Sequence, residues 1–268
     1  MNRMAAWTLI DSHNHFDDAG FDEDRAVLYQ QARAAGVVAQ VVNAVCVRLW
    51  PKLQAVAAGY PGLYPCYGLH PVWLSEHRPE HLDQLADWIT QERPIAIGEC
   101  GLDFYLPDLD PDAQAEYFAG QLRLARRHDL PVVIHARYAV DQVIKQVRRF
   151  AGVRGMVHSF SGSLDQAGRL LDLGILLSFG GPLTYPRASR LHSLVRFLPL
   201  DGLLIETDAP DQPVSGHHGR RHEPAHLVEV LACVAELRAA DPADIAAATT
   251  ANARRLFQFP DVLPARPH

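Results

Sequence analysis

At 268 residues and 48% hydrophobic content, the chain has the size and balance of an ordinary globular protein with a sizeable core. Its net charge of −6 excludes a global basic face for coating or packaging nucleic acid. It does not exclude a nucleic-acid substrate held by cations and a few arginines.

Strand and helix patterns alternate along the whole chain. The apolar run 7–12 predicts a strand, followed by a helix over 24–35 that stops at Gly36. A β-branched strand over 37–45 leads to a helix over 51–58, ended by Gly59. A strand over 63–69 precedes a helix over 79–92, and 95–99 predicts strand four. After a loop over 103–110, Pro111 opens a helix over 111–128, where Phe118, Gln121, Leu122 and Ala125 recur at helical spacing. Then come a strand over 131–135, a helix over 139–150, a strand over 155–158 and a helix over 163–173. A strand over 175–179 runs into Gly180-Gly181, followed by a helix over 188–197 and a strand over 203–207. A helix over 224–239 is followed by two further helical stretches, one opening at Asp241 and one over 252–257.

Eight strand-like runs, each followed by a helical one, imply a parallel sheet. The expected fold is α/β, a single TIM-type (β/α)8 barrel with additional C-terminal helices, over residues 1–259, with 260–268 a loose tail. An open doubly wound sheet would want a glycine-rich phosphate loop after strand one, where this chain has Asp-Ser-His-Asn-His. No apolar stretch approaches the ~18 residues of a membrane span, and no signal-type run precedes Asp11. Cys46, Cys66, Cys100 and Cys233 form no C-x-x-C pair and read as reduced. The expected address is cytoplasmic.

The polar residues collect at strand ends. His13 and His15 close strand one, and residues two apart in an extended chain point the same way. Strand four ends in Glu99, strand five in His135 and strand six in His158, and Asp208 directly follows strand eight. In a barrel these ends form one rim, where active sites of this fold lie. A mixed imidazole and carboxylate set suits divalent cations and leaves the metal open. Glu99, central among the strands, is placed to bridge two ions, with a water between them as nucleophile. Asp208 is the candidate general base, and Asp11 and Glu206 are candidates to orient imidazoles. His70 and Arg137 could meet a phosphate, and Gly180 and Gly181 could offer it backbone N–H groups. Arg187, Arg190, Arg220 and Arg221 are weighed against solvated surface charge, and Trp73 and Tyr185 against ordinary packing. His217-His218 reads as a flexible exposed pair.

These segments resemble the TatD family of metal-dependent hydrolases, within the amidohydrolase-like barrels, from Ile10 to Phe257. The resemblance is carried by Ile10-Asp-Ser-His-Asn-His15, Gly68-Leu-His-Pro71, Ala96-Ile-Gly-Glu-Cys-Gly-Leu-Asp-Phe104, Leu130-Pro-Val-Val-Ile-His-Ala-Arg137, Val157-His-Ser-Phe-Ser-Gly-Ser163, Ser178-Phe-Gly-Gly181, Leu203-Leu-Ile-Glu-Thr-Asp-Ala-Pro210 and Thr249-Thr-Ala-Asn252. The stretch from Leu183 to Ser189 resembles a deoxyribonuclease-like branch of the family. The resemblance implies that His13, His15, Glu99, His135, His158 and Asp208 match the family's metal ligands. It implies two divalent cations (Mg²⁺, Mn²⁺ or Zn²⁺) and a deoxyribonuclease trimming single-stranded DNA, 3′–5′ exonuclease-like. It implies a nucleic-acid substrate, no membrane and no stable protein partner. The alternative is hydrolysis at a carbonyl, as by a D-aminoacyl-tRNA deacylase. Asn14 stands where the family usually has Cys, Cys100 where it has Ile, and His222 where it has Asn.

Overall fold

Every strand-like run forms a strand in the computed structural model, which describes residues 7–260 and residue 263. Apart from Pro260 and Leu263, the tail expected over 260–268 lies outside the described residues. The strands are β1 (Leu9–Asn14), β2 (Val37–Ala44), β3 (Leu63–Tyr67), β4 (Ala96–Asp103), β5 (Val132–Arg137), β6 (Gly155–Val157), β7 (Ile175–Phe179) and β8 (Leu203–Ile205). Between and after them run α1 (Arg25–Ala35), α2 (Trp50–Gly59), α3 (His81–Glu92), α4 (Pro111–His128), α5 (Val140–Arg149), α6 (Leu164–Leu171), α7 (Ser189–Phe197), α8 (Leu227–Arg238) and α9 (Pro242–Phe257).

The strands make one eight-stranded parallel sheet in sequence order, the expected (β/α)8 barrel with additional C-terminal helices. The seam between β8 and β1 is joined just beyond the end of β8. Asp208 N–H donates to His13 O at 3.0 Å, and His15 N–H to Ala209 O at 2.8 Å. Ser12 Oγ donates to Ile205 O at 3.0 Å.

Helix ends follow local chemistry. Gly36 takes a left-handed conformation at the end of α1, and Asp110 caps α4 by accepting from the N–H groups of Asp112 and Ala113. The two helical stretches expected at the C-terminus are one unbroken helix, α9. Asn252 does not interrupt it, because its side-chain amide reaches across to Leu200 O and Leu203 O, both at 2.8 Å.

Two hydrophobic groups divide the interior. The larger lies between the sheet and its helices. The smaller takes Ile10, Val41, Cys66, Val133, Met156 and Leu204 from inside the barrel and is sealed by Ala253, Leu256 and Phe257 of α9. Period-two alternation then carries these inner faces upward. His135 and Arg137 follow Val133, and His158 follows Met156, while His70 and Asp208 lie beyond the ends of β3 and β8.

Two strands break this parity, and both breaks serve the site. In β4, Ala96 faces the inside while Ile97, Cys100 and Leu102 face the helices. Positions 97 and 100 can share a side only across a shift, and the β4–β5 register slips between them. Strict alternation would turn Cys100 inward and Glu99 out; the bulge reverses that. The β1–β2 register shifts likewise between Asp11 and Asn14. Strand four also continues past Glu99 to Asp103, because pairing with β5 persists as far as Arg137.

Candidate metal centre

The six strand-end residues meet around Glu99, which is 2% exposed. Its two oxygens face different groups. Oε2 lies 3.5 Å from both His13 Nε2 and His15 Nε2. Asp208 Oδ1 completes that side, 3.2 Å from His13 Nε2 and 3.6 Å from His15 Nε2. Glu99 Oε1 faces His135 Nδ1 at 3.0 Å and His158 Nε2 at 2.9 Å.

For His15 and His135 the remote nitrogen shows that the near one is free to coordinate. His15 Nδ1 donates to Asn43 O at 2.8 Å, leaving the Nε2 lone pair toward the carboxylates. His135 Nε2 donates to Asp103 Oδ2 at 2.9 Å, which turns the Nδ1 lone pair inward. His158 Nδ1 lies 3.7 Å from Glu206 Oε1. His13 Nε2 is buried, aimed at two carboxylate oxygens and in no hydrogen bond. Lone pairs facing anionic oxygens across about 3 Å require a cation or a proton between them. Two ligands at ~2.0–2.1 Å in tetrahedral array lie about 3.3 Å apart, close to these separations. The donor set therefore fits divalent metal.

Electrostatics agree. Burial pushes the Glu99 carboxyl up, but the imidazoles of His70, His158 and His13 outweigh it and hold the group well below the usual carboxylate range. Burial also opposes ionisation of Asp208, and the neighbouring imidazoles still bring its pKa to about 2. Burial lowers His15, yet Glu99 and Asp208 raise it to about 10. Without metal, protons on such imidazoles supply the positive charge.

His70 joins this cluster rather than standing apart on the substrate side. Its Nδ1 accepts the Val72 N–H, so Nε2 carries the proton and donates to Glu99 Oε1 at 2.9 Å. His70 is thus a donor to Glu99 and not a bare ligand nitrogen; burial lowers its pKa to about 4. Asp11, expected to orient imidazoles, acts on backbone. It accepts from the N–H of His13 at 3.3 Å and of Thr207 at 3.0 Å, and from Thr207 Oγ1 and Asn14 Nδ2. It thereby clamps β1 to the chain leading to Asp208. Glu206 accepts the Ser159 N–H at 2.6 Å beside His158. Asn14 turns to Asp11 and Gln40, away from the imidazoles, and Cys100 Sγ donates to Val133 O.

Several functional contacts were not anticipated. Asp103, read as the start of a loop, fixes His135; its acidic group at the end of an apolar run was the available signal. Gln212 donates to Asp208 Oδ2 and accepts from Ser159 Oγ. Two glutamines on the inner face of α4 brace the rim. Gln114 bonds both N–H and C=O of Asp103, and Gln121 both those of Leu69, next to His70. Polar residues in an apolar stripe were the hint.

The centre floors a cleft of about 610 Å³ walled by Trp73, Arg137, Phe160, Gly180, Leu183 and Gln212. Gly180 faces this cleft. Gly181 is buried, and a Cβ there would lie 1.9 Å from Gln212 O, so its bareness admits the loop that holds Asp208. Tyr185 packs, donating to Pro213 O at 3.0 Å. Arg221 pairs with Asp24 at 2.6 Å and lies over Phe21, a structural tie. His217 is not a loose residue. Its Nε2 lies 3.1 Å from Glu229 Oε1 and its ring stacks on His226 at 3.9 Å, because His226, just before α8, and Glu229, in its first turn, are three residues apart. His218 stays exposed. His222 is buried, its Nδ1 on Thr207 O at 2.7 Å.

The sequence model of the family described as TatD related DNase matches residues 10–258. The chain belongs to the TatD family of metal-dependent hydrolases. Among TatD relatives it is 40% identical over 256 residues to YjjV of Escherichia coli, an uncharacterised metal-dependent hydrolase; the match covers 94% of this chain and 98% of that protein. It is 33% identical over 260 residues to a Citrobacter koseri protein named 3′-5′ ssDNA/RNA exonuclease TatD, covering 93% and 98%. The crystal structure of the Escherichia coli TatD homologue YjjV matches with a TM-score of 0.90 at 38% identity, covering 94% of this chain and 98% of that one. The expected family and barrel are thus borne out. Among the described residues, no helix is long and apolar enough to cross a membrane.

Proposed function

We propose that this TatD-family hydrolase is a phosphodiesterase, a 3′–5′ exonuclease-type deoxyribonuclease that acts on single-stranded DNA in the cytoplasm with two divalent cations. The observation that carries the reading is the division of Glu99. One oxygen faces His13, His15 and the neighbouring Asp208, the other His135 and His158. Those six residues would hold the two ions, with Glu99 shared. Bound there, the ions would neutralise charge on the scissile phosphate and make water nucleophilic at neutral pH. Asp208, ionised and with Oδ2 held by Gln212, is placed to accept that water's proton. His70 steadies Glu99 from the cleft side. Arg137, exposed at the cleft wall, favours phosphate as the group bound. A named exonuclease among the relatives supports the same substrate class.

The test is a paired assay, a labelled single-stranded oligonucleotide beside a D-aminoacyl-tRNA, with Mg²⁺, Mn²⁺ and Zn²⁺ supplied in turn. Shortening of the oligonucleotide from its 3′ end, abolished by chelation, is expected. Cleavage of the aminoacyl ester alone would overturn the phosphodiesterase reading. Glu99→Ala should lower the rate on the order of 100-fold or more, since loss of an outer partner alone typically costs 10–100-fold.

A further inference from the structure

We infer that Tyr105, Arg137 and Tyr138 form a platform that stacks one base of a single-stranded nucleic acid beside the metal centre. The inference rests on the phosphodiesterase reading above. Aromatic rings are normally withdrawn from water, yet Tyr105 is 52% exposed and Tyr138 is 78% exposed. Their ring centroids lie 5.5 Å apart at 33°, and the Arg137 guanidinium lies 3.7 Å over Tyr105. Three flat groups thus make one continuous exposed surface. Tyr138 has a φ of 56°, a left-handed conformation that tyrosine seldom takes.

The platform is anchored to the centre. Asp103 Oδ2 accepts from His135, while its Oδ1 accepts from Tyr105 N–H at 2.9 Å. Phe104 N–H donates to Arg137 O at 2.9 Å. Arg137 stands two residues beyond His135 on β5, about 7 Å along the strand. A stretched nucleotide covers that distance. Ala136, Arg137 and Ser161 wall both the cleft over the centre and a neighbouring hollow of about 540 Å³ that contains Tyr138 and Arg190. The charge of that hollow suits a phosphate. Its carboxylate, Asp141, is already held by Arg169 at 2.9 Å and Gln166 at 2.8 Å. Among the described residues, neither Arg137 nor Arg190 is in an ion pair. Base stacking on tyrosine and arginine planes is tolerant of sequence, which suits an enzyme advancing along a strand.

The test measures binding of a fluorescein-labelled, phosphorothioate-linked oligothymidylate, slow to be cut, by anisotropy with Mg²⁺ present. Tyr138→Ala and Tyr105→Ala should each weaken binding at least about fivefold, and Tyr138→Phe should bind like the wild type. An abasic nucleotide, scanned along the strand, should weaken wild-type binding at one position and have no further effect there in Tyr138→Ala. Wild-type affinity in both alanine variants, or no binding by the wild type, would overturn the platform. Tyrosine-dependent binding in a protein that cuts no DNA with any of the three cations leaves the platform standing and sinks the phosphodiesterase reading. Cutting by a protein whose alanine variants bind normally sinks the platform alone.

Discussion

Asp103 shows how a single carboxylate divides its labour. One oxygen accepts a hydrogen bond from His135 Nε2–H and so turns Nδ1 toward Glu99, while the other accepts from the N–H groups of Tyr105 and Leu106. Without it the imidazole can rotate and change tautomer, though no ligand has been removed. Asp103→Ala should therefore weaken Zn²⁺ or Mn²⁺ binding about 10–100-fold, read by calorimetric titration with circular dichroism as a check on folding. Wild-type affinity in a folded Asp103→Ala protein would remove this role. His70 follows the opposite logic. Its inward nitrogen carries the proton, so it supports the charge on Glu99 and does not compete for an ion.

Among the elements, α4 and the β8–α8 loop matter most to the rim. Helix α4 buries Phe118, Leu122 and Ala125 against the barrel but also sends Gln114 and Gln121 to strand ends that no ladder satisfies. Gln121→Leu fills the space and orphans the N–H and C=O of Leu69. It should cost on the order of 2–4 kcal/mol in urea unfolding, because each buried unpaired group costs about 1–3 kcal/mol. A loss below 1 kcal/mol would show that water satisfies those groups. At the other side, Gly181 admits Gln212 O where any side chain would collide. Gly181→Ala should push the loop away, at a cost of about 1–3 kcal/mol, and release Gln212 from Asp208. Activity should fall with it. An alanine variant with wild-type stability and rate would contradict the close approach.

At the scale of the whole molecule, the centre sits on the barrel's seam. His13 lies in the first strand and His15 just past its end, and Asp208 follows the last. Asp208 and His13 are joined by a backbone bond as well as by converging side chains. A cation held on both sides should staple the barrel shut. Divalent metal at about 100 times its Kd should add about 2.7 kcal/mol, a rise in Tm of roughly 5–10 °C for a chain of this size. Thermal unfolding with metal and with chelator measures this, and most of the shift should vanish in Glu99→Ala. Identical melting with and without metal would mean that the cluster does not bind ions in the folded state.

The sequence by itself determined the number and order of the strands, the helix that follows each, and the residue types at the strand ends. These depend on local periodicity, which one chain carries without reference to the rest. The six residues from His13 to Asp208 could be named because the C-terminal ends of parallel strands meet at one rim. Facing was readable only while alternation held, along Val133, His135 and Arg137 or Met156 and His158. Tertiary structure alone decided that Glu99 and not Cys100 turns inward, since a bulge in β4 depends on how β4 pairs with β5. It alone decided that Asp103 serves His135, that Gln121 serves Leu69, and which nitrogen of His15 and of His135 is left facing the carboxylates. Those choices are made by partners far away in sequence, and no local pattern encodes a distant hydrogen bond.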